Sequence, residues 1–136
     1  MKPLLSICCQ TYNHRPYIRQ CIEGFLMQKA NFEYEILIRD DASTDGTTDI
    51  VLEYASKYPN KIKPLIYNEN QYQKGISPLL DNLKRVKGKY IALCEGDDYW
   101  IDPLKLQKQV DFLETNSGYS MCFHNAKIKE TKIKTD

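Results

Sequence analysis

The chain has 136 residues, of which 42% are hydrophobic and 27% are charged, a size and composition typical of one soluble globular domain. Its 19 lysine and arginine residues nearly balance 18 aspartate and glutamate residues, so no strong overall field would attract nucleic acid or an acidic membrane. No apolar run is long enough for a signal peptide or a membrane span. We therefore predict a cytoplasmic protein, with peripheral attachment at the inner face of the membrane as the alternative.

Apolar runs of strand length alternate along the chain with segments of helical spacing. After Pro16, for example, Ile18, Ile22 and Phe25 recur at the spacing of a buried helix face, and Pro64 in the third apolar run favours an edge strand. In chain order we predict strands over residues 4–10, 34–41, 62–67, 90–94 and 119–128, and helices after Pro16, in the segment ended by Pro59, over residues 78–86, and from Pro103 with Asp102 as its N-cap.

Strands that alternate with helices of this length predict βαβ units and a mainly parallel sheet, which is an α/β fold. In such sheets, ligands bind at the carboxyl ends of the strands. Polar residues follow four successive strands at that edge: residues 10–14, 40–41, 68–75 and 95–98. We therefore expect the functional site to lie along this one edge of the sheet.

Five cysteines, an odd number, lie mostly within apolar runs and lack the spacing of a zinc site: Cys8, Cys9, Cys21, Cys94 and Cys122. Cys8 and Cys9 are neighbours on a predicted strand, so their side chains should point to opposite faces. We interpret all five as small buried hydrophobic residues in a reducing compartment.

The fourth strand ends in three carboxylates within four residues: Glu95, Asp97 and Asp98, with Gly96 between them. Two carboxylates about 4 Å apart repel by roughly 4 kcal/mol at the effective dielectric of a protein surface. A hard divalent cation, which prefers carboxylate oxygens, would remove this cost. A solvated acidic turn is the simpler alternative, and these four residues alone leave both open.

Four segments occur in a recognisable order: QTYNH after the first strand, DDASTDGT after the second, KGIS in the polar loop, and GKYIALCEGDDYW at the fourth strand. From about Leu4 to Asn125 the chain resembles the nucleotide-sugar-binding half of the family 2 glycosyltransferases. The resemblance implies the family's Rossmann-like GT-A fold, in which helices flank a mainly parallel central sheet. It also implies that residues 1–136 form a single donor-binding domain, truncated before the acceptor-binding part.

The same resemblance assigns the nucleobase and the ribose to Gln10, Tyr12, Asn13 and Asp41, with Asp40 as a structural or secondary partner. A carboxylate such as Asp41 can accept the ring N–H of uracil, and a tyrosine can stack on the ring. For Lys74, a point-charge contact to phosphate and a solvated loop lysine remain equal alternatives.

At the acidic corner, the resemblance implies that Asp97 contacts the sugar nucleotide and that Asp98 ligates Mn²⁺ or Mg²⁺, both as catalytic residues. Glu95 would be a third acid near the substrate. The implied reaction, part of polysaccharide biosynthesis, is metal-dependent transfer of a sugar from a nucleotide diphosphate sugar, with uridine as the expected base. The acceptor would be a saccharide or a lipid-linked acceptor, and the anomeric centre would be inverted.

Two features depart from the family pattern, and other functions compete. The family's helix after the polar loop commonly begins with arginine and asparagine, whereas this chain has Asp81 and Asn82. The general base usually follows the acidic corner, past residue 136.

A nucleotidyltransferase would require a Gly-rich basic loop after the first strand, and a phosphoacceptor domain would require paired acids there. A non-catalytic nucleotide-sugar-binding module is the alternative from another class.

Overall fold

The computed structural model describes residues 2–129, which form a four-stranded, fully parallel sheet flanked by helices. In chain order the elements are β1 (Leu5–Thr11), α1 (Arg15–Leu26), β2 (Tyr34–Asp40), α2 (Thr47–Lys57), β3 (Ile62–Ile66), a single 3-10 turn (Tyr72–Lys74), α3 (Pro78–Leu83), β4 (Tyr90–Leu93) and α4 (Lys105–Thr115). The strand order is β3-β2-β1-β4. The predicted α/β class is confirmed, and Pro64 lies on an edge strand as expected. Within residues 2–129, the helices lack the length and apolar composition needed to cross a bilayer.

The central strands β1 and β2 are buried along their whole length. Cys9 belongs to the main apolar core, together with Ile18 and Phe25 of α1. Cys8 is equally buried but lies outside that core cluster, as expected for neighbours on a strand. All five cysteines are free thiols. The two strands are thus held from both faces, which gives their carboxyl ends a rigid base.

On the sheet face away from the main core, α3 is bound to the strands through the amide of Asn82. This side chain is fully buried, and its Nδ2 donates to the Leu37 carbonyl at 3.0 Å and to Oε1 of Gln10 at 2.9 Å. A buried amide with such partners fixes α3 in both distance and orientation.

Three predicted elements were wrong, in whole or in part. Residues 119–128 have no regular secondary structure, and Phe123 and Ile128 are 89% and 92% exposed. Strand-like composition alone did not make residues 119–128 a strand, because a strand forms only where another strand accepts its hydrogen bonds. The last helix begins at Lys105 rather than Pro103, and Oδ1 of Asp102 accepts the N–H of Leu104 at 2.8 Å in the turn that precedes the helix. Helix α3 also ends at Leu83, three residues earlier than predicted.

Gly88 lies against the backbone at the start of β1. A Cβ atom there would be 2.7 Å from the Leu5 carbonyl carbon and the Ser6 nitrogen, atoms that cannot move without disturbing the sheet. We expect Gly88→Ala to lower the free energy of unfolding by about 3 kcal/mol, as measured by urea denaturation. Gly118→Ala is the matched control, because nothing lies within 4 Å of that position. Equal stability of the two variants would contradict the close approach at Gly88.

Candidate functional site

Asn13 joins the loop after β1 to the loop after β2. Its φ angle of 52° is left-handed, the conformation that asparagine tolerates better than most residues. Its N–H donates to Oγ of Ser43 at 2.9 Å, and its Oδ1 accepts the N–H of Thr44 at 2.8 Å. The neighbouring Tyr12 is 44% exposed. The two strand ends therefore form a single ledge with an aromatic ring beside it.

The two adjacent aspartates after β2 have different surroundings. Asp40 is fully buried, and its carboxylate accepts the hydroxyls of Ser43 and Thr48. These bonds hold the turn and the first residues of α2 in place. Every hydrogen bond of the Asp40 carboxylate thus serves the fold.

Asp41 instead holds the loop that contains the 3-10 turn. Its Oδ1 accepts the N–H of Gln71 at 2.7 Å, and its Oδ2 accepts the N–H of Tyr72 at 3.1 Å. An ionised carboxylate has about four acceptor positions, so these two bonds leave capacity for a further donor. In the same loop the ammonium of Lys74 pairs with Glu69. The loop therefore covers the carboxylate that was predicted to meet the nucleobase.

Gln10 bridges the acidic corner and α3. Its side chain is only 4% exposed; Nε2 donates to Oε1 of Glu95 at 2.9 Å, while Oε1 accepts the Nδ2 proton of Asn82. Both ends of the amide are therefore engaged inside the protein. The structure brings Gln10 to the predicted edge, where it orients Glu95.

The acidic corner is a tight turn pressed against the loop after β1. The N–H of Asp98 donates to the Glu95 carbonyl at 3.0 Å, and the N–H of Gly96 donates to the Gln10 carbonyl at 3.0 Å. A Cβ atom on Gly96 would be 2.5 Å from Oγ1 of Thr11, so a larger residue would push the corner away from β1. Glycine here keeps the carboxylates at the strand ends.

The corner also concentrates negative charge. Partial desolvation, with the charge of Asp97 adding to it, raises the pKa of the Asp98 carboxyl. Desolvation likewise raises the pKa of Glu95, although its hydrogen bond from Gln10 opposes the shift. Nε2 of His14 lies 3.9 Å from Oδ2 of Asp97. Raised carboxyl pKa values mean that the corner would gain from a bound cation.

A divalent metal fits this corner only together with a ligand. Within residues 2–129, no three histidine, cysteine, aspartate or glutamate side chains converge as a preformed metal cage. Magnesium-type ions are commonly held by one or two carboxylates, with the remaining positions filled by water and substrate phosphates. The exposed carboxylates of Asp97 and Asp98 match that donor set.

The sequence patterns predicted no role for Arg39. Its side chain is fully buried on β2, and its Nε donates to Oδ2 of Asp81 at 2.8 Å. Hydrogen bonds from Tyr67 and Arg39 lower the pKa of Asp81. The available signal was an arginine inside the apolar run YEILIRDD, because charged residues are rarely fully buried unless they are paired.

A parallel sheet with joined loops and an acidic corner at the carboxyl ends of its strands is the arrangement of a GT-A nucleotide-sugar-binding domain. The model of the family described as glycosyl transferase family 2 matches residues 6–135. The chain belongs to the family 2 glycosyltransferases, which confirms the resemblance inferred from the motifs.

Similar proteins include two sequence relatives and one solved structure. Uncharacterized protein Rv1520 of Mycobacterium tuberculosis is 43% identical over 91% of this chain and 35% of its own length. WfaP of Escherichia coli, a UDP-Glc:α-D-GlcNAc-diphosphoundecaprenol β-1,3-glucosyltransferase, is 39% identical over 85% of this chain and 43% of its own length. Residues 1–349 of Staphylococcus aureus TarS, in complex with UDP-GlcNAc, superpose with a TM-score of 0.69 at 29% identity, covering 86% of this chain and 32% of that one. The chain thus spans about a third to under a half of these proteins.

Proposed function

We propose that this chain is the donor-binding part of a metal-dependent glycosyltransferase that uses a uridine diphosphate sugar. The observation that carries the proposal is the convergence at one sheet edge of Asp41, the Asn13 ledge and the Asp97–Asp98 corner. A base, a ribose and a diphosphate could lie along this edge in that order. The UDP-GlcNAc bound by TarS and the UDP-glucose named for WfaP support the choice of uridine.

Each part of the site would act on a different part of the donor. Asp41 accepts the ring N–H of uracil, and Tyr12 stacks on the ring. Asp97 contacts the sugar nucleotide, and Asp98 ligates Mn²⁺ or Mg²⁺ with the diphosphate. The ion, when bound, stabilises the negative charge that develops on the leaving diphosphate. Gln10 and Asn13 hold these groups in their relative positions.

The acceptor is a saccharide or a lipid-linked saccharide, and the sugar is transferred with inversion by direct displacement. The diphosphoundecaprenol acceptor in the name of WfaP supports the lipid-linked class. Inversion requires a base close to the acceptor hydroxyl. Glu95, whose pKa is raised by desolvation, is the residue of this chain to test in that role.

Calorimetric titration with UDP and UDP-sugars, with and without Mn²⁺, tests the proposal. We expect Mn²⁺ alone to bind weakly, because the corner supplies few ligands, and UDP to bind much more tightly when Mn²⁺ is present. Turnover is then measured as the release of free sugar from the donor. Failure of UDP to bind under either condition would overturn the proposal.

A non-catalytic donor-binding module is the second candidate. Metal-dependent donor binding with no sugar release and no transfer would support this reading. Transfer to a saccharide acceptor by these 136 residues would exclude it.

A further inference from the structure

The guanidinium group of Arg39 is buried, and only its Nε atom makes a hydrogen bond within residues 2–129. Its Nε is bonded to Asp81, and the group lies 4.7 Å from the ring centroid of Tyr67. Its Nη1 and Nη2 atoms are buried and have no hydrogen-bond partner within residues 2–129. Nη1 is 3.7 Å from Oδ1 of Asp41, which is close enough for an ion pair but too far for a hydrogen bond.

This arrangement is unfavourable for stability alone. Buried donors without partners lose the hydrogen bonds that water gives them in the unfolded chain. Replacing a buried charge with an apolar residue of similar volume is often neutral or stabilising. The burial of Arg39 is therefore weak evidence that it stabilises the fold. The free edge of the guanidinium therefore calls for another explanation, and its nearest carboxylate outside the Asp81 pair is the one at the proposed nucleobase position.

The contacts between Asp41 and the loop indicate when Nη1 and Nη2 of Arg39 would bind the Asp41 carboxylate. The Asp41 side chain is only 4% exposed, because the loop that carries Gln71 and Tyr72 covers it. Although the carboxylate has acceptor positions left, a nucleobase can reach them only if this loop shifts. Arg39 lies on a central strand and is bonded to Asp81, so it stays in place when the loop moves.

We propose that Arg39 is a positioning residue that holds the carboxylate of Asp41 in the orientation that accepts the ring N–H of a uracil base. The inference rests on the proposed function, in which Asp41 meets the nucleobase. Asp81 and Tyr67 fix the guanidinium, and its free edge aligns Asp41 once the loop contacts are released. Arg39 does not touch the donor itself.

The choice between uridine and cytidine diphosphate isolates this effect. Cytosine has the size of uracil but carries an acceptor in place of the ring N–H and an amino group in place of the adjacent carbonyl, so the ratio of the two affinities reports recognition of this edge of the base, and its loss in Asp41→Ala assigns that recognition to Asp41. We expect the parent chain, saturated with Mn²⁺, to prefer UDP over CDP by about 10- to 100-fold. Asp41→Ala should reduce that ratio to about one.

Arg39→Lys retains the charge and loses the planar fork. We expect its UDP-to-CDP ratio to fall by about tenfold from the parent value, with a smaller fall for Asp81→Asn, which loosens the guanidinium. Arg19→Lys is the matched control, because Arg19 is an exposed arginine paired with Glu53 on the helices; its ratio should equal that of the parent. Thermal unfolding followed by circular dichroism accompanies each variant, and Asp81→Asn serves if Arg39→Lys fails to fold.

The outcomes separate the two proposals. If both nucleotides bind Arg39→Lys more weakly by the same factor, the residue is merely structural and the inference is overturned. The inference is also overturned if Arg39→Lys does not fold and a folded Asp81→Asn variant keeps the parent ratio. A parent chain that binds UDP and CDP equally would instead refute the nucleobase role of Asp41, and the inference would fall with it.

Discussion

Replacing Asp98 with asparagine is expected to weaken Mn²⁺-dependent UDP binding by about 100-fold or more. Loss of groups that merely orient a metal ligand costs about 10- to 100-fold, and Asp98 is proposed to be the ligand itself. The neutral amide keeps the shape of the side chain but cannot offer an anionic oxygen. Calorimetric titration of UDP with Mn²⁺, compared with the same titration in a chelator, measures the effect.

The stability of the metal-free chain provides an independent readout. Asp98 has a raised pKa because of desolvation and the charge of Asp97, so its ionised form disfavours folding at neutral pH. Asp98→Asn should therefore be at least as stable as the parent chain without metal. Asp111→Asn, an exposed aspartate on α4, is the matched control for both measurements. Parent-like metal-dependent binding by Asp98→Asn would show that the metal assignment is wrong.

Asp41→Ala is expected to weaken UDP binding by about 10- to 100-fold. The variant loses a hydrogen bond to a charged acceptor, which contributes about 1.5 to 3 kcal/mol. The parent should also prefer UDP to guanosine diphosphate, because a purine would overfill the pocket and misplace the accepted proton. Competition between the two nucleotides, with Mn²⁺ saturating, measures this preference in parent and variant.

The substitution has a structural consequence that needs its own control. Asp41 also accepts the N–H groups of Gln71 and Tyr72, so alanine releases the loop as well as the base. Asp45→Ala removes a carboxylate that accepts the N–H of Thr47 at the start of α2 and the N–H of Arg15 at the start of α1, yet it should keep the preference for uridine. Equal binding of uridine and guanosine diphosphates by the parent chain would contradict the assignment of Asp41.

Local sequence patterns determined the elements and their class. The alternation of apolar runs with helical spacing depends on side chains close together in the chain, and it predicted the ends of β1, β2, β3 and β4 to within one residue. Pro64 predicted an edge strand because proline cannot donate a ladder hydrogen bond. The parallel sheet then placed the acidic corner and the Asn13 loop at one edge, since carboxyl ends of parallel strands meet there.

The partners of each polar side chain were decided by tertiary structure. Asp40 and Asp41 are the same residue type, but only folding shows that the first holds Ser43 and Thr48 while the second holds the loop at Gln71. The contacts of Asp40 lie within eight positions along the chain, whereas the contact between Asp41 and Gln71 spans 30 positions and depends on a chain path that no local pattern encodes.

Residues 119–128 and Arg39 show most clearly what the sequence pattern determines and what tertiary contacts determine. Residues 119–128 have the composition of a strand, but they are exposed because no neighbouring strand pairs with them within residues 2–129. Arg39 sits in an apolar run whose pattern predicts burial, and the sequence alone did not reveal Asp81, 42 positions away, as its partner. Periodicity thus determined which segments form the sheet, whereas hydrogen bonds and charges between distant segments determined what each polar group at its edge can do.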